Sequence, residues 1–216
     1  MLKDQFPQMK GLQDPVLGTK LHFEIAHGSF VQVLHDGSLH WVTVRNLFSR
    51  DNTVELYDSL YSSVPMSIKM QIASIIMTNE RSMHVKIQKF QRQQGGVDCG
   101  LFAIAAATDL CNGRDPSTSN YKQTEMRSHL LQALKDAVLL PFPSESVTVK
   151  SKTVKAIQVP LWCSCRLPDN GEEKMAECGG CDDYYHKTCA SIPREVFQNN
   201  QKAKEWRCRD CVDTSQ

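Results

Sequence analysis

The sequence lacks a long apolar run, a run of charge of one sign and any repeated or low-complexity segment. No stretch approaches the ~18 apolar residues that a membrane-spanning helix needs, so we expect no membrane partner. The first residues contain no apolar run of the kind that an export signal has. Lys and Arg (25) nearly balance Asp and Glu (24), which argues against direct nucleic-acid binding. A hydrophobic content of 41% excludes a mainly disordered chain.

Cysteine is scarce in the first 160 residues and concentrated after them. Of nine cysteines, only Cys99 and Cys111 precede residue 160, and the other seven lie between Cys163 and Cys211. In a chain without an export signal, clustered thiols indicate metal ligands rather than disulfides. The distribution therefore predicts a reducing intracellular compartment and two modules of different construction.

The composition changes near residues 143–160, which are rich in Ser, Thr, Val and Lys. We predict a first domain at residues 1–145, a linker at 146–160 with room for a short strand at Val147–Val149, and a small second domain at 161–213. Patterns of period two predict strands at Phe30–Leu34, Leu39–Val44, Thr53–Tyr57 and His84–Phe90. Helical patterns predict helices at Ser67–Thr78, Asp98–Leu110 and Asn120–Leu139. This mixture predicts an α+β fold for the first domain.

Two helix ends carry further signals. Asn112 and Gly113 are typical of a helix C-terminus, so the apolar helix before them is expected to end there. Asn120 and Gln123 resemble a capping box at the start of the last helix. The apolar residues of that helix recur at intervals of four, at Met126, Leu130, Leu134 and Val138.

The second domain is too short to be stabilised by apolar burial alone. Its candidate metal ligands are spaced in pairs, separated by one, two, two and two residues within each pair. They are Cys163, Cys165, Cys178, Cys181, His186, Cys189, Cys208 and Cys211. Eight sulfur and imidazole ligands fill two tetrahedral zinc sites with no open position, so both sites are expected to be structural. The alternative is a reduced, metal-free cysteine cluster.

The order of these ligands, with histidine fifth, resembles that of the PHD finger, whereas a RING finger usually has histidine fourth. The resemblance covers residues 161–212 and implies interleaved sites. One zinc is then held by Cys163, Cys165, His186 and Cys189, and the other by Cys178, Cys181, Cys208 and Cys211.

PHD fingers mostly bind histone tails, which makes a histone tail a candidate partner and the nucleus the expected location. Trp162, Met175 and Tyr184 stand where methyl-lysine cage residues stand in that family. Such a cage attracts a methylammonium group by cation–π interaction. Residues 161–216 contain eight basic and ten acidic residues, which suits a basic ligand. Acidic side chains near the cage could pair with it: Glu172, Glu173, Asp182 and Asp183. The competing interpretation is that Trp162 and Tyr184 only pack against the zinc loops.

In the first domain, Cys99 lies at the predicted start of a buried helix, where the helix dipole favours a thiolate. His40 precedes Trp41 on a predicted strand, and Asp58 follows another strand. A cysteine, a histidine and an acid form the set that nucleophilic catalysis requires. Taken singly, each residue has a non-catalytic interpretation. Cys99 would be a small core residue, His40 an ordinary histidine in a strand, and Asp58 part of a turn.

Taken together, the order His40-Trp41, Tyr57-Asp58-Ser59 and Gln93 to Gly100 resembles the ubiquitin-like-protein-specific proteases, which deconjugate SUMO and NEDD8. The resemblance covers about residues 20–143 and implies a papain-like core. It also implies Cys99 as nucleophile, His40 as general base and acid, and Asp58 as the group that orients His40. Gln93 would donate to the oxyanion, with Gln94 as the alternative. The implied partner is a ubiquitin-like modifier or its conjugates.

One departure concerns the start of the domain. The family's domain begins with a helical segment containing Trp-Leu-x-Asp, which this sequence does not match, so we expect an N-terminally incomplete domain. The sequence thus favours a cysteine peptidase that cleaves Gly-terminated peptide or isopeptide bonds and is directed to chromatin by a PHD finger. The alternatives are a catalytically inactive chromatin reader or scaffold and an acyltransferase with the same triad.

Overall fold

A computed structural model describes residues 1–46, 52–76, 78–148 and 155–213. Its largest element is a six-stranded sheet with the order β1-β2-β3-β4-β5-β8. The strands are β1 (Lys10–Gly11), β2 (Phe30–His35), β3 (Trp41–Asn46), β4 (Thr53–Tyr57), β5 (Ser82–Ile87) and β8 (Lys155–Pro160). The pairs β1–β2 and β4–β5 are parallel, and the other neighbours are antiparallel. Helices and antiparallel strands together confirm the α+β class.

The sheet is covered by a helix on each face. Helix α3 (Met66–Ile76) connects the parallel strands β4 and β5 and buries Ile68 and Ile72 against one face. Helix α4 (Cys99–Cys111) buries Phe102 and a row of alanines against the other. The alanines allow close approach, and the hydroxyl of Thr43 on β3 donates to the backbone carbonyl of Ala103 at 2.7 Å. Helix α4 is thereby fixed against the centre of the sheet.

The remaining elements of the first domain surround this sheet and its two helices. They are α1 (Leu2–Gln5), α2 (Pro15–Thr19), a 3-10 helix (Pro116–Thr118), β6 (Ser119–Tyr121), α5 (Gln123–Asp136) and β7 (Ser144–Ser146). Strands β6 and β7 form a separate antiparallel pair. The predicted C-terminus of α4 is confirmed, because Asn112 follows the helix and Gly113 has φ of 72°.

The predicted start of α5 is wrong. Asn120 lies in β6, and the residue that precedes the helix, Lys122, makes no side-chain capping hydrogen bond. The helix begins only at Gln123, so Asn120 lies two residues before the N-cap position and is instead paired with Glu145 of β7. The interval-of-four pattern also misleads, because positions four apart drift around a helix by about 40° per step. Met126 and Ala133 are buried, whereas Leu134 is exposed.

The segment expected as a linker contributes a strand to the sheet of the first domain. Strand β8 pairs antiparallel with β5 over six residue pairs, from Ser82 with Pro160 to Ile87 with Lys155. Every second side chain of this segment turns inward, ending in Leu161, which is fully buried in the core beneath α3. Pro160 is tolerated because β8 is an edge strand, where a missing N–H breaks no ladder. Of the short strand expected at Val147–Val149, Val147 and Thr148 are not in a strand, and Val149 lies outside the described residues.

The second domain contains little regular structure. It has two short antiparallel strands, β9 (Met175–Glu177) and β10 (Tyr184–His186), a 3-10 helix (Arg194–Phe197), α6 (Asn200–Glu205) and α7 (Arg209–Asp213). Its own apolar core holds three buried residues, Ala176, Ile192 and Val196. None of the helices in the described ranges combines the length and the apolar character that a bilayer crossing requires.

Candidate active site and metal centres

The three residues expected to form a catalytic triad meet at one edge of the sheet. His40 immediately precedes β3 and Asp58 immediately follows β4, and these two strands are antiparallel neighbours. Cys99 is the first residue of α4. The beginning of β3, the end of β4 and the N-terminus of α4 therefore present the three side chains to one place.

His40 and Asp58 form a close buried pair. Nε2 of His40 lies 3.0 Å from Oδ1 of Asp58, and both side chains are almost completely buried. Among the described residues, neither ring nitrogen makes a hydrogen bond of good geometry, so the contact is a short approach of Nε2 to the carboxylate. Because Nε2 faces the carboxylate, Nδ1 remains as the ring nitrogen that can act on a proton. Nδ1 is buried and, among the described residues, has no hydrogen-bond partner.

The Asp58 carboxylate is held by the backbone of the turn that follows it. Its Oδ1 also accepts hydrogen bonds from the backbone N–H groups of Leu60 at 2.7 Å and Tyr61 at 2.8 Å. The ring of Tyr61 meets the ring of His40 edge to face, with centroids 4.8 Å apart. Sequence reasoning missed Tyr61, although an Asp two and three residues before free N–H groups is a known turn signal. The turn orients both members of the pair.

Cys99 lies against the segment that carries His40. Its Sγ is 3.5 Å from the backbone carbonyl oxygen of Leu39, the residue before His40. The N-terminus of a 13-residue helix stabilises negative charge on a side chain placed there. The next residue, Gly100, packs against Trp41, and a Cβ at Gly100 would lie 3.6 Å from that ring. The Cys99 sulfur thus lies against the residue that directly precedes His40.

Gln93 is buried beside the pair, whereas Gln94 is exposed. The backbone N–H of Gln93 donates to the carbonyl of Ser59 at 3.0 Å, and its Oε1 accepts from the Ser59 hydroxyl at 2.7 Å. Its Nε2 donates to the carbonyl of Gly95 at 2.9 Å. One amide hydrogen of Gln93 therefore has a partner, and the other is available to an oxyanion. Sequence reasoning placed Ser59 in the motif but did not predict that its hydroxyl holds this amide.

Two further residues near Cys99 differ in what they do. Asp98 precedes α4 but makes no capping bond, and its carboxylate instead binds Gln123 and Arg127 of α5. Cys111 lies at the other end of α4, where burial raises the pKa of its thiol to about 11. At neutral pH Cys111 is therefore an unreactive thiol, as expected of a packing residue.

The eight candidate ligands of the second domain form two groups of four. The first group contains Cys163, Cys165, His186 and Cys189, and the second contains Cys178, Cys181, Cys208 and Cys211. Within each group all ligand atoms lie within 4.8 Å of one another. Tetrahedral zinc with Zn–S bonds of about 2.3 Å requires ligand atoms about 3.8 Å apart. The 3.9 Å between the sulfurs of Cys181 and Cys208 matches this requirement. The interleaved grouping is therefore confirmed, and both sites fit structural zinc ions.

Within the clusters, burial and contacts between the thiols shift their pKa values in opposite directions. The pKa is raised for four of them, Cys165, Cys181, Cys189 and Cys211, and lowered for Cys163 and Cys178. A bound metal ion takes all of them as thiolates. A hydrogen bond from Cys165 lowers the pKa of the Cys163 thiol. Although burial opposes it, backbone N–H groups of Cys208 and Gly180 lower the pKa of Cys178 to about 6. The one-residue spacing of the first pair places Cys163 at φ of 63°, in the left-handed region. Cys163 adopts this backbone conformation because its sulfur must reach the same metal position as the sulfur of Cys165.

The aromatic residues of the second domain fall into two sets. Tyr185 and Trp206 contact each other at 5.6 Å and pack against the small apolar core, so they are structural. Trp162 and Tyr184 instead meet edge to face at 5.2 Å with an interplanar angle of 76°, and Tyr184 remains 37% exposed. Edge-to-face contact is an arrangement that packed aromatic pairs prefer, and here it leaves part of the Tyr184 ring exposed to solvent. Met175 is half-buried on the neighbouring strand, β9.

The acidic residues expected near this pair are not all available to a ligand. Asp183 is buried and paired with Arg166, with Nη1 to Oδ2 at 2.6 Å, so its expected contact with a basic tail is wrong. Glu173 accepts from the backbone and hydroxyl of Thr188. Glu172 and Asp182 are exposed.

Comparison with protein families matches residues 9–139 to the Ulp1 protease family, C-terminal catalytic domain. This match covers more than half of the chain. The chain belongs to the Ulp1 protease family. The matched segment contains every residue of the candidate active site, and the Ulp1-type domain is followed by a PHD-finger match at residues 163–211.

Three curated relatives are similar to the finger part of this Ulp1-family chain. Set1 complex component spp1 of Schizosaccharomyces pombe is 38% identical over 56 residues, covering 26% of this chain and 12% of the relative. Chromatin remodeling protein EBS of Arabidopsis thaliana is 30% identical over 54 residues, 25% and 22% respectively. COMPASS component SPP1 of Saccharomyces cerevisiae is 49% identical over 35 residues, 16% and 10%. The chain thus spans less than a quarter of each of these relatives. No solved structure matches the chain.

Proposed function

We propose that the protein is a cysteine peptidase that cleaves the bond after the C-terminal glycine of a ubiquitin-like modifier. The observation that supports it best is the buried pair of His40 and Asp58, 3.0 Å apart, beside Cys99 at the start of α4. Buried charged groups are costly unless they serve a purpose, and this pair lies next to the one thiol at a helix N-terminus in the catalytic module.

In the proposed reaction, Nδ1 of His40 takes the proton from Cys99, and the sulfur attacks the carbonyl carbon of the glycine. The carbonyl oxygen gains the negative charge and accepts hydrogen bonds from the backbone N–H of Cys99 and from the free amide hydrogen of Gln93. His40 then gives the proton to the leaving amine, which leaves a thioester on Cys99. Water, activated by the same ring, hydrolyses the thioester and restores the thiol. Asp58 stabilises the imidazolium that forms in both halves.

The test is covalent capture by ubiquitin-like modifiers that carry a C-terminal electrophile. We expect one modifier of a panel to form an adduct on Cys99, and Cys99→Ser to abolish it. His40→Ala should slow capture greatly, and Asp58→Asn less, because it disturbs only the orientation and tautomer of the ring. Gln93→Ala should lower turnover about 10²–10³-fold while sparing simple alkylation, which forms no oxyanion.

Cys111→Ser is the matched control and should leave capture unchanged. Absence of any adduct across the panel would overturn the peptidase proposal. An acetyl adduct on Cys99 after incubation with acetyl-CoA, without a modifier adduct, would instead favour acyl transfer.

We further propose that the finger binds a methylated histone tail and holds the protein in the nucleus. The nearly perpendicular pair of Trp162 and Tyr184 supports this, with Met175 beside it. The printed names of the relatives, a Set1 complex component and a chromatin remodeling protein, agree with a chromatin location. An inactive chromatin reader would show peptide binding by the finger and no capture at Cys99, and the two assays together therefore separate a targeted peptidase from a reader.

A further inference from the structure

Two apolar side chains beside the candidate active site are exposed far more than other large apolar residues. Leu39 is 88% exposed and Val97 is 80% exposed. Among the described residues, the next most exposed large apolar side chain is Leu140, at 61%. A single exposed leucine on a protein surface needs no explanation, because much of any surface is apolar. The notable feature is that, among the described residues, the two most exposed large apolar side chains belong to the residue just before His40 and to the loop that leads into Cys99.

Leu39 and Val97 flank Cys99 from two different segments. The carbonyl of Leu39 is 3.5 Å from the Cys99 sulfur, and His40 follows it directly. Val97 is two residues before Cys99, in the loop that leads into α4. A third apolar group, the ring of Tyr61, is 48% exposed and lies against the ring of His40. The catalytic pair is thus bordered by apolar groups that face solvent.

The local fold does not require either side chain. The turn before His40 is held by Asp36, whose carboxylate accepts from Ser38 and from the backbone N–H of His40. That turn would form equally well with a polar residue in place of Leu39. Val97 is a β-branched residue in a bend, where glycine and polar residues are usual. Neither contributes to a core, so neither stabilises the free protein by burial.

We propose that Leu39 and Val97 determine substrate preference by binding an aliphatic side chain of the substrate close to the bond that is cleaved. This rests on the proposed peptidase function. Both side chains are exposed in the free protein, so a substrate chain that covers them gains the free energy of their burial on binding. Burying one aliphatic group in this way favours an apolar over a polar substrate residue by about 10-fold or more. The partner is therefore a chain whose residues near the cleaved glycine include leucine, valine or isoleucine.

The experiment compares quenched fluorescent peptides that share glycine before the cleaved bond. Each pair has leucine or serine at one of the three nearest non-glycine positions on either side. With the unmodified protein, we expect the leucine peptide to be cleaved with about 10-fold higher kcat/KM at one of these positions. Leu39→Ser or Val97→Ser should reduce that ratio several-fold, mainly through KM, because contact outside the reacting atoms changes binding more than chemistry.

Leu140→Ser is the matched control, since it removes an exposed leucine away from the site and should leave the ratio unchanged. Thermal melting checks that all three variants fold. Equal cleavage of the leucine and serine peptides, or a ratio that neither variant changes, would overturn the inference.

A separate readout distinguishes this inference from the peptidase proposal. Fluorescence anisotropy with the Cys99→Ala protein measures binding of the same peptides without any reaction. If no peptide is cleaved, the peptidase proposal fails. Tighter binding of the leucine peptide that is lost in the Leu39→Ser, Cys99→Ala double variant would then still support the substrate-contact role, and equal binding would reject it.

Discussion

The two domains of this protein are stabilised by different interactions. The catalytic module buries apolar side chains on both faces of a sheet, and these make two extended cores. The finger has a core of three buried apolar residues and two clusters of four metal ligands. In the first module stability is distributed over many contacts, each of modest size, whereas in the finger it is concentrated in two ions. The same chain therefore contains one part that tolerates single changes and one that depends on a cofactor.

The two domains are connected by strand β8 and the residues that directly follow it. Strand β8 belongs to the sheet by its hydrogen bonds and to the finger by its continuation into the first zinc loop. Leu161 is buried in the catalytic core, and its backbone N–H donates to the carbonyl of Arg81 at 2.9 Å. The guanidinium of Arg81 donates in turn to the carbonyl of Cys181, between zinc ligands, at 2.9 Å. The two domains therefore differ in how they are stabilised, but a buried side chain and hydrogen bonds connect them.

Removal of zinc should have the largest effect. We expect a chelator to abolish the structure of residues 163–212 while strands β2–β4 remain, because metal binding supplies on the order of 10 kcal/mol per structural site. Hydrogen-exchange mass spectrometry measures both regions in one sample, and native mass spectrometry should count two zinc ions beforehand. A finger that stays protected with fewer than two ions would contradict the interleaved clusters.

Phe102→Ala should have the next largest effect, and in the other domain. The ring is fully buried and meets Phe90 and Tyr121 edge to face at 6.0 and 5.9 Å. We expect a loss of about 3–5 kcal/mol in the free energy of unfolding, measured by urea denaturation, with both zinc ions retained. Leu140→Ala, at an exposed position, should change it by less than about 0.5 kcal/mol. Loss of zinc from the folded Phe102→Ala protein would show that the domains are less independent than we infer.

Leu161→Ala tests the connection between the two domains. The residue lies in the sequence of the finger but in the core of the catalytic module, so the substitution should destabilise the catalytic module by about 2–5 kcal/mol. Both zinc clusters should remain filled, since no ligand changes. Gln158→Ala on the exposed side of β8 is the control. An unchanged urea midpoint for Leu161→Ala would mean that this connection does not support the sheet.

The smallest expected effect is on ligand binding by the finger. Trp162→Ala should weaken binding of a trimethyl-lysine histone peptide by about 1–2 kcal/mol without changing zinc content, because one face of the cation site is lost. Fluorescence polarisation measures the affinity. Tyr184→Phe keeps the aromatic ring and should keep binding. Equal affinity of the unmodified protein for methylated and unmethylated peptides would rule out the cage.

Much of the site could be predicted because its residues have sequence neighbours that identify them. The spacing of cysteine and histidine predicts four ligand pairs, since residues so close in sequence can present two ligand atoms to one metal. The resemblance to the PHD finger implies how these pairs combine into two sites. The motif around Cys99 predicts its place at the start of α4. The roles of Tyr61 and Ser59 could not be predicted, because their contacts with His40 and Gln93 depend on how the turn after β4 folds.

The prediction of a linker at residues 146–160 missed strand β8, for a different physical reason. A segment rich in Ser, Thr and Lys is typical of a linker, and its polar residues outnumber the inward-facing ones. Only Ile157, Val159 and Leu161 alternate toward the core. Edge strands need few apolar residues, because one side of the strand and its outer edge face water. Likewise, the burial of Asp183 depends on Arg166, a partner 17 residues away in sequence.

The pairing of β8 with β5 also restricts how such a chain can be assembled or altered by gene rearrangement. The protease match ends at residue 139 and the PHD-finger match begins at residue 163. From an alignment alone, the interval between them would look like a place where one domain can be exchanged without harm to the other. A crossover there that replaced β8 would leave β5 as an unpaired edge, open to association with other chains. One that spared β8 but lost Leu161 would leave a cavity beneath α3. Any segment that replaces this part of the chain must therefore supply both a strand with alternating apolar residues and an apolar residue directly after it.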